Sequence, residues 1–322
     1  MDNDAILRIT DLRTYFYTGE GVVKAVDGVN LTIPKGESMG LVGESGCGKT
    51  VTAYSILQLV PNPPGKIVSG QIHFKGRDLV QLPEKEMRNI RGKEISMIFQ
   101  EPSSSMNPSF TIGNQIQEVI RFHQRISRSQ AREKAIEILA AVRIPDPMRI
   151  LSQYPHELSG GMLQRVMIAM AISCEPDLLI CDEPTTALDV SIQAQVIKLL
   201  NDLRRERKTS FLFITHDLGV LSWACSYAVV MYAGNIVEHS EIRRLIQNPR
   251  HPYTQSLLGA SPRLDRDCDM LTSISGSVPN LVCPPPGCRF HPRCRQAKTI
   301  CHEETPTLRE EGKGHWVACF ED

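Results

Sequence analysis

The chain has 322 residues, with 36 basic and 36 acidic side chains and a formal net charge of zero. A chain of this length buries roughly 75% of its unfolded surface, so a large core is expected, in one large domain or about two ordinary ones. The balanced charge argues against general nucleic-acid binding, which relies on a basic surface, and no apolar run approaches the ~20 residues that span a bilayer.

The opening segment MDNDAILRIT lacks a charged region followed by an apolar one and does not read as a signal peptide. The expectation is a soluble chain whose membrane role comes through partners. Residues 38–42 (SMGLV) predict a short buried strand, and residues 50–60 a helix stopped by the proline-rich PNPPG. GQIHF, KGRD and the later ISMIF predict a strand, a turn and another strand. Ala131, Ala135, Ile138, Leu139 and Val142 share one helical face, and Ser127 with Gln130 can form a capping box before it. LLIC at 178–181 predicts a second buried strand. A helix follows from about 190 to 206, and FLFI at 211–214 predicts a third buried strand. Strands alternating with helices imply an α/β core with a mainly parallel sheet. The helical stretch from about 104 to 174 breaks the alternation and reads as an inserted subdomain. From about 248 the texture changes to Pro, Cys, His and Arg, which divides the chain into a core over 1–247 and an extension over 248–322.

Three segments carry chemistry. Gly43-Glu44-Ser45-Gly46-Cys47-Gly48-Lys49-Thr50 fits the P-loop pattern G-x-x-x-x-G-K-[ST], with a strand before it and a helix after it. Successive backbone N–H groups and the helix N-terminus suit phosphate oxygens. Lys49 reaches the β- and γ-phosphates of ATP, and Thr50 ligates Mg²⁺. The apolar strand ending in Asp182-Glu183 supplies a carboxylate for Mg²⁺ and, in Glu183, a general base for water. Leu158-Ser159-Gly160-Gly161-Met162 opens a further helix, where Ser159 and the glycine amides form a second anion site. One phosphate tail needs both loops only if two chains share it.

In order and in kind these segments resemble the ABC ATPase family, over nearly the whole chain. The signature LSGGQ stands here as LSGGM. The resemblance implies that Gln100, after ISMIF, contacts Mg²⁺ and water and senses the permease, and that Asp189 of Ala187-Leu188-Asp189 is the D-loop aspartate. It implies that His216 contacts the γ-phosphate and that Phe16, flanked by Tyr15 and Tyr17, stacks on adenine. GESGCGKT, FQEPSSSMNP, YPHELSGGM, RVMIAMAI, DEPTTALDV and RHPYTQSLL look like the ATPases of dipeptide and oligopeptide importers, closest to a dipeptide importer ATPase. Nickel importers of the same branch are the alternative. The partners this implies are two membrane permease subunits, a second ATPase (a paralogue rather than a second copy) and, indirectly, an extracytoplasmic peptide-binding protein. The implied place is the cytoplasmic face of the membrane.

Of ten cysteines, six crowd the C-terminal end, which in a chain without a secretion signal suggests a metal site before disulfides. The tail GCRFHPRCRQAKTIC followed by HWVAC matches the extension of the same branch. The resemblance implies that Cys288, Cys294, Cys301 and Cys319 hold a [4Fe–4S] cluster. The spacing itself does not select iron, and a Cys₄ Zn²⁺ site is the alternative. The tail's weak apolar periodicity predicts that a metal supplies its folding energy. Other classes fit less well. A DNA-repair ATPase inserts long heptad segments between P-loop and signature, a translation-type ATPase carries two cassettes, and an exporter fuses membrane spans to its cassette.

Overall fold

The computed structural model describes residues 4–185, 190–260 and 274–321. Asp189 and Cys268 lie outside the described residues. Strands β1 (Ala5–Thr18), β2 (Gly21–Pro34) and β3 (Ser38–Val42) lead to helix α1 (Lys49–Ile56), then β4 (Gly65–Phe74) and β5 (Arg77–Asp78). Helix α2 (Glu84–Ile90) and strand β6 (Ile95–Ile98) precede a run of helices. These are α3 (Pro102–Ser105), α4 (Ile112–Gln124), α5 (Arg128–Ala141), α6 (Pro147–Ile150) and α7 (Gly160–Ile172). Next come β7 (Leu178–Asp182), α8 (Val190–Arg207), β8 (Ser210–Thr215), α9 (Leu218–Ala224), β9 (Tyr227–Tyr232) and β10 (Asn235–Glu241). The chain closes with α10 (Ile242–Gln247), α11 (Pro252–Ala260), α12 (Ile300–Glu303), β11 (Arg309–Glu310) and β12 (Trp316–Val317). These elements form two units, Met1–Gln81 with Phe213–Asp322, and Leu82–Leu212.

The first unit holds an antiparallel sheet in the order β2-β1-β4-β5 and the strands β11-β12-β10-β9-β3 of a second sheet. In β1 the buried Leu7, Ile9 and Leu12 face a core that β2 completes with Val26, Val29, Leu31 and Ile33. All five residues of β3 are buried, as expected of a strand covered on both faces. It runs parallel to β9, whereas β10 pairs antiparallel with β9. In the second unit β6 and β7 pair in parallel from Ile95–Leu178 to Ile98–Cys181. The α/β core is therefore mixed: β3–β9 and β6–β7 pair in parallel, whereas β1–β2, β1–β4, β4–β5, β9–β10, β10–β12 and β11–β12 pair antiparallel.

Local signals in the second unit read true. Ser127 Oγ accepts from the Gln130 N–H, Gln130 reaches back to the Ser127 N–H, and Ala131, Ala135, Ile138 and Leu139 are buried. Helix α1 is shorter than the predicted 50–60. It closes at Ile56 because Gln58 enters the left-handed region (φ 50°), where its side-chain amide binds the Leu79 carbonyl. The Leu59 N–H then returns 2.8 Å to the Tyr54 carbonyl, a Schellman closure that ends the helix before the prolines are reached.

The C-terminal residues overturn the expectation of a [4Fe–4S] cluster, and of its Zn²⁺ alternative, on Cys288, Cys294, Cys301 and Cys319. The four residues do line one small cavity, of about 10 Å³, no more than a single water needs. Among the described residues, however, no group of three or more His, Cys, Asp or Glu side chains is placed to hold a metal ion. Cys301 Sγ instead accepts from the Lys298 N–H and Cys319 Sγ from the Glu321 N–H. Burial pushes the Cys288 thiol up to about 11 and raises those of Cys294 and Cys319.

The premise that the tail lacks folding energy fails too. Phe290 is 2% exposed and its ring meets Tyr232, Tyr253 and His251 at centroid distances of 5.1, 5.4 and 5.8 Å. Strand β12 extends the sheet beside β10. His315 Nε2 lies 2.7 Å from the buried Glu238 carboxylate, which also accepts the Arg250 and His251 N–H groups. Periodicity could not reveal this, because the anchors are single side chains received by a surface built elsewhere in the sequence.

Candidate nucleotide-binding site

The P-loop runs from the end of β3 into α1. Close approach fixes its glycines: a Cβ at Gly43 would lie 2.2 Å from the Met231 carbonyl oxygen, and one at Gly48 would lie 2.3 Å from that of Ala25. Gly48 also has φ 108°, a conformation that side chains resist. Between them Ser45 and Gly46 are exposed, so the loop tip is open to an incoming anion. Lys49 is only 5% exposed and its ammonium curls back to the carbonyls of Gly43 (2.8 Å) and Glu44 (3.0 Å). A buried cation held by neutral carbonyls can exchange them for phosphate oxygens, which carry charge. Cys47 is buried beneath the loop, and Thr50 is half-buried on the first turn of α1. Loop and helix start thus bring together an exposed loop tip, a buried lysine and a helix N-terminus, the groups that bind phosphate.

Phe16 lies in β1 opposite Val23 of β2 and Gly65 of β4 and is half-buried. Its neighbours differ in use. The Tyr15 hydroxyl donates to Asp27 Oδ1 at 2.6 Å, whereas Tyr17 is 52% exposed. His216 follows β8 and is exposed. Asp217 after it has a local task, as N-cap of α9 accepting the Gly219 N–H at 2.7 Å.

The second unit carries the other sequence-predicted groups. Asp182 ends β7 and is 1% exposed. Glu183 follows it with φ 45°, an unusual backbone for a non-glycine residue and one often met at functional sites. Its Oε2 accepts from Gln100 Nε2 at 3.0 Å, so two residues singled out separately in the sequence, 83 apart, are brought together. Ser159 is the N-cap of α7, yet its hydroxyl makes no capping bond, and Ser159 and Gly160 are exposed with Gly161 half-buried behind them. The first turn of α7 therefore presents N–H groups outward, as an anion site would.

Some relevant residues escaped sequence reasoning. Gln164, on the buried face of α7, donates to the Pro184 carbonyl at 2.7 Å and so ties the signature helix to the residue after Glu183. Glu44 accepts both guanidinium nitrogens of Arg293, and its N–H donates to the Tyr253 hydroxyl at 2.8 Å. A polar residue among the buried apolar positions of α7 was a usable signal for Gln164. None existed for partners more than two hundred residues away.

Comparison with known proteins places this geometry. The family model described as ABC transporter matches residues 26–186, and that described as oligopeptide/dipeptide transporter, C-terminal region, matches residues 237–301. A probable peptide ABC transporter ATP-binding protein of Sinorhizobium fredii is 51% identical over 98% of this chain and 95% of its own length. The oligopeptide transport ATP-binding protein AppD of Bacillus subtilis is 49% identical over 98% and 96%. The dipeptide transport ATP-binding protein DppD of the same organism is 46% identical over 98% and 95%. Among solved structures, a dimeric ATP-binding cassette in a post-hydrolysis state with ADP and Pi is 26% identical, with TM-score 0.67 over 74% of this chain and 99% of that one. The chain is an ATP-binding, ATP-hydrolysing subunit and belongs to the ABC transporter family, in the branch defined by the oligopeptide and dipeptide transporter C-terminal region.

Proposed function

We propose that this chain powers peptide import from the cytoplasmic face of a membrane, seated on two permease subunits beside a second ATPase, with an extracytoplasmic binding protein delivering the peptide. Relatives named for peptide, oligopeptide and dipeptide transport, at 46–51% identity along nearly the whole chain, support this reading over nickel import. No helix among the described residues is long and apolar enough to cross a membrane, and in this reading the permease subunits supply the path for substrate.

The P-loop carries the reading. In the proposed roles, Phe16 stacks on adenine and the Gly43–Thr50 backbone cradles the phosphates. Lys49 leaves its carbonyl partners for the β- and γ-phosphates. Thr50, Gln100 and Asp182 are the groups that suit Mg²⁺, which neutralises phosphate charge when bound. Glu183 takes the proton of the attacking water, and Gln100 holds the Glu183 carboxylate in place until then. His216 orients the γ-phosphate, and Asp189 belongs to the segment that follows Glu183. Positioning and charge stabilisation carry most of such catalysis. A core of 1–247 with a helical subdomain over about 104–174, followed by a distinct cysteine-rich extension over 248–322, is the proposed division of labour.

Ser159, Gly160 and Gly161 close over the nucleotide of the neighbouring subunit rather than their own. The exposed, uncapped start of α7 supports this. Substituting Ser159→Arg tests it: affinity of the isolated chain for ATP should stay within about twofold, while ATP-driven dimerisation and turnover fall by about 10² or more as a cation fills the niche. A comparable loss of affinity in the monomer would place Ser159 in its own subunit's site instead.

A further inference from the structure

We propose that Arg293 of the C-terminal tail is a charge-neutralising residue for the P-loop, acting through Glu44. The inference rests on the P-loop being the phosphate site.

Glu44 is the second residue of the loop and puts a carboxylate at the edge of a cradle meant for a highly charged anion. Left alone, that carboxylate repels phosphate. The structure shows how it is dealt with. Arg293 Nη1 lies 2.7 Å from Glu44 Oε2 and Nη2 lies 3.1 Å from Oε1, a two-pronged ion pair. The Arg293 side chain is only 4% exposed and that of Glu44 26%, so the pair is shielded from screening by salt. Arg293 is itself held: its Nε donates to the Ser275 carbonyl at 2.9 Å, and its guanidinium sits 5.8 Å from the centre of the Tyr232 ring. The loop is gripped on the other side as well, where the Glu44 N–H donates to the buried Tyr253 hydroxyl at 2.8 Å.

Arg293 thus cancels the charge of Glu44 before nucleotide arrives, beside the carbonyl that helps hold the Lys49 ammonium. Residues 274–293 of the tail are thereby coupled to the affinity of the nucleotide site, although Arg293 need not touch the nucleotide.

The test uses the full chain and a non-hydrolysable ATP analogue. Arg293→Gln should raise the analogue's Kd roughly tenfold at low salt, less at high salt, because the freed carboxylate then faces the phosphates. KM for ATP should rise in step while kcat changes little. The double variant Glu44→Gln/Arg293→Gln should return to within about threefold of wild type, because no charge is left to neutralise. Arg293→Lys, which keeps the cation, should also stay within about threefold; if Arg293→Gln does not fold, this variant carries the test. A double variant as weak as Arg293→Gln, or a tenfold loss in folded Arg293→Lys, overturns the proposal. Lys49→Ala serves as the control: if it binds the analogue as wild type does, the P-loop is not the phosphate site and the underlying reading fails. Weakened binding in Lys49→Ala with unchanged Kd in folded Arg293→Gln refutes the role of Arg293 alone.

Discussion

The P-loop and the C-terminal tail belong to the same unit but are held by opposite means. The P-loop is announced by contiguous residues: a helix start directly after it, a lysine folded onto carbonyls five and six positions back, and glycines that let it pack against the distant Met231 and Ala25 carbonyls. The tail takes its shape from isolated side chains that reach residues far off in sequence. Phe290 enters the ring cluster, Arg289 reaches Asp27, Arg293 reaches Glu44 and His315 reaches Glu238. A backbone-built site can be read from its motif, whereas a side-chain anchor becomes visible only once its socket has folded.

Removing one anchor should release the tail. Phe290→Ala should cost about 3–5 kcal/mol in denaturant unfolding, the usual range for deleting a buried aromatic ring. Limited proteolysis should then cut beyond residue 274 while the second unit keeps its protection. A loss below about 1 kcal/mol would mean that the tail is held by something other than its side-chain anchors.

A second effect comes from pH. Burial holds His251 at about 3, far below the ordinary histidine value, and its Nδ1 accepts the Tyr253 N–H at 3.1 Å. The unfolded chain therefore binds this proton at higher pH than the folded one. Stability should be intact above about pH 6.5 and fall as pH drops towards 3, by up to about 1.4 kcal/mol per pH unit. His251→Gln should flatten that part of the unfolding profile. An unchanged slope would show that the acid sensitivity resides in other groups.

The same contrast explains what the sequence made legible. Strands β3, β7 and β8 stand out because a fully buried strand is a short unbroken apolar run, and the Ser127–Gln130 box because both partners lie within one turn. Lys49, Asp182 and Glu183 follow from motifs whose chemistry is local. The end of α1 was misread because Gln58, and not the prolines, closes it through a contact at Leu79. The cysteines misled for a related reason: spacing counts residues but does not aim sulfur atoms, and here two of the four accept backbone N–H groups close in sequence. The Gln100–Glu183 contact was anticipated only as two separate roles, since their meeting depends on the parallel pairing of β6 and β7.

In the proposed mechanism Glu183 is the base for ATP hydrolysis, held ready by Gln100. Glu183→Gln can be compared with wild type in nucleotide binding, turnover and sedimentation under Mg²⁺ and ATP. Glutamine keeps the shape and leaves Asp182 untouched but cannot accept the proton. Wild-type nucleotide affinity, turnover reduced by about 10²–10⁴ and accumulation of an ATP-bound dimer are expected. Turnover within a few-fold of wild type in a folded Glu183→Gln protein would contradict it.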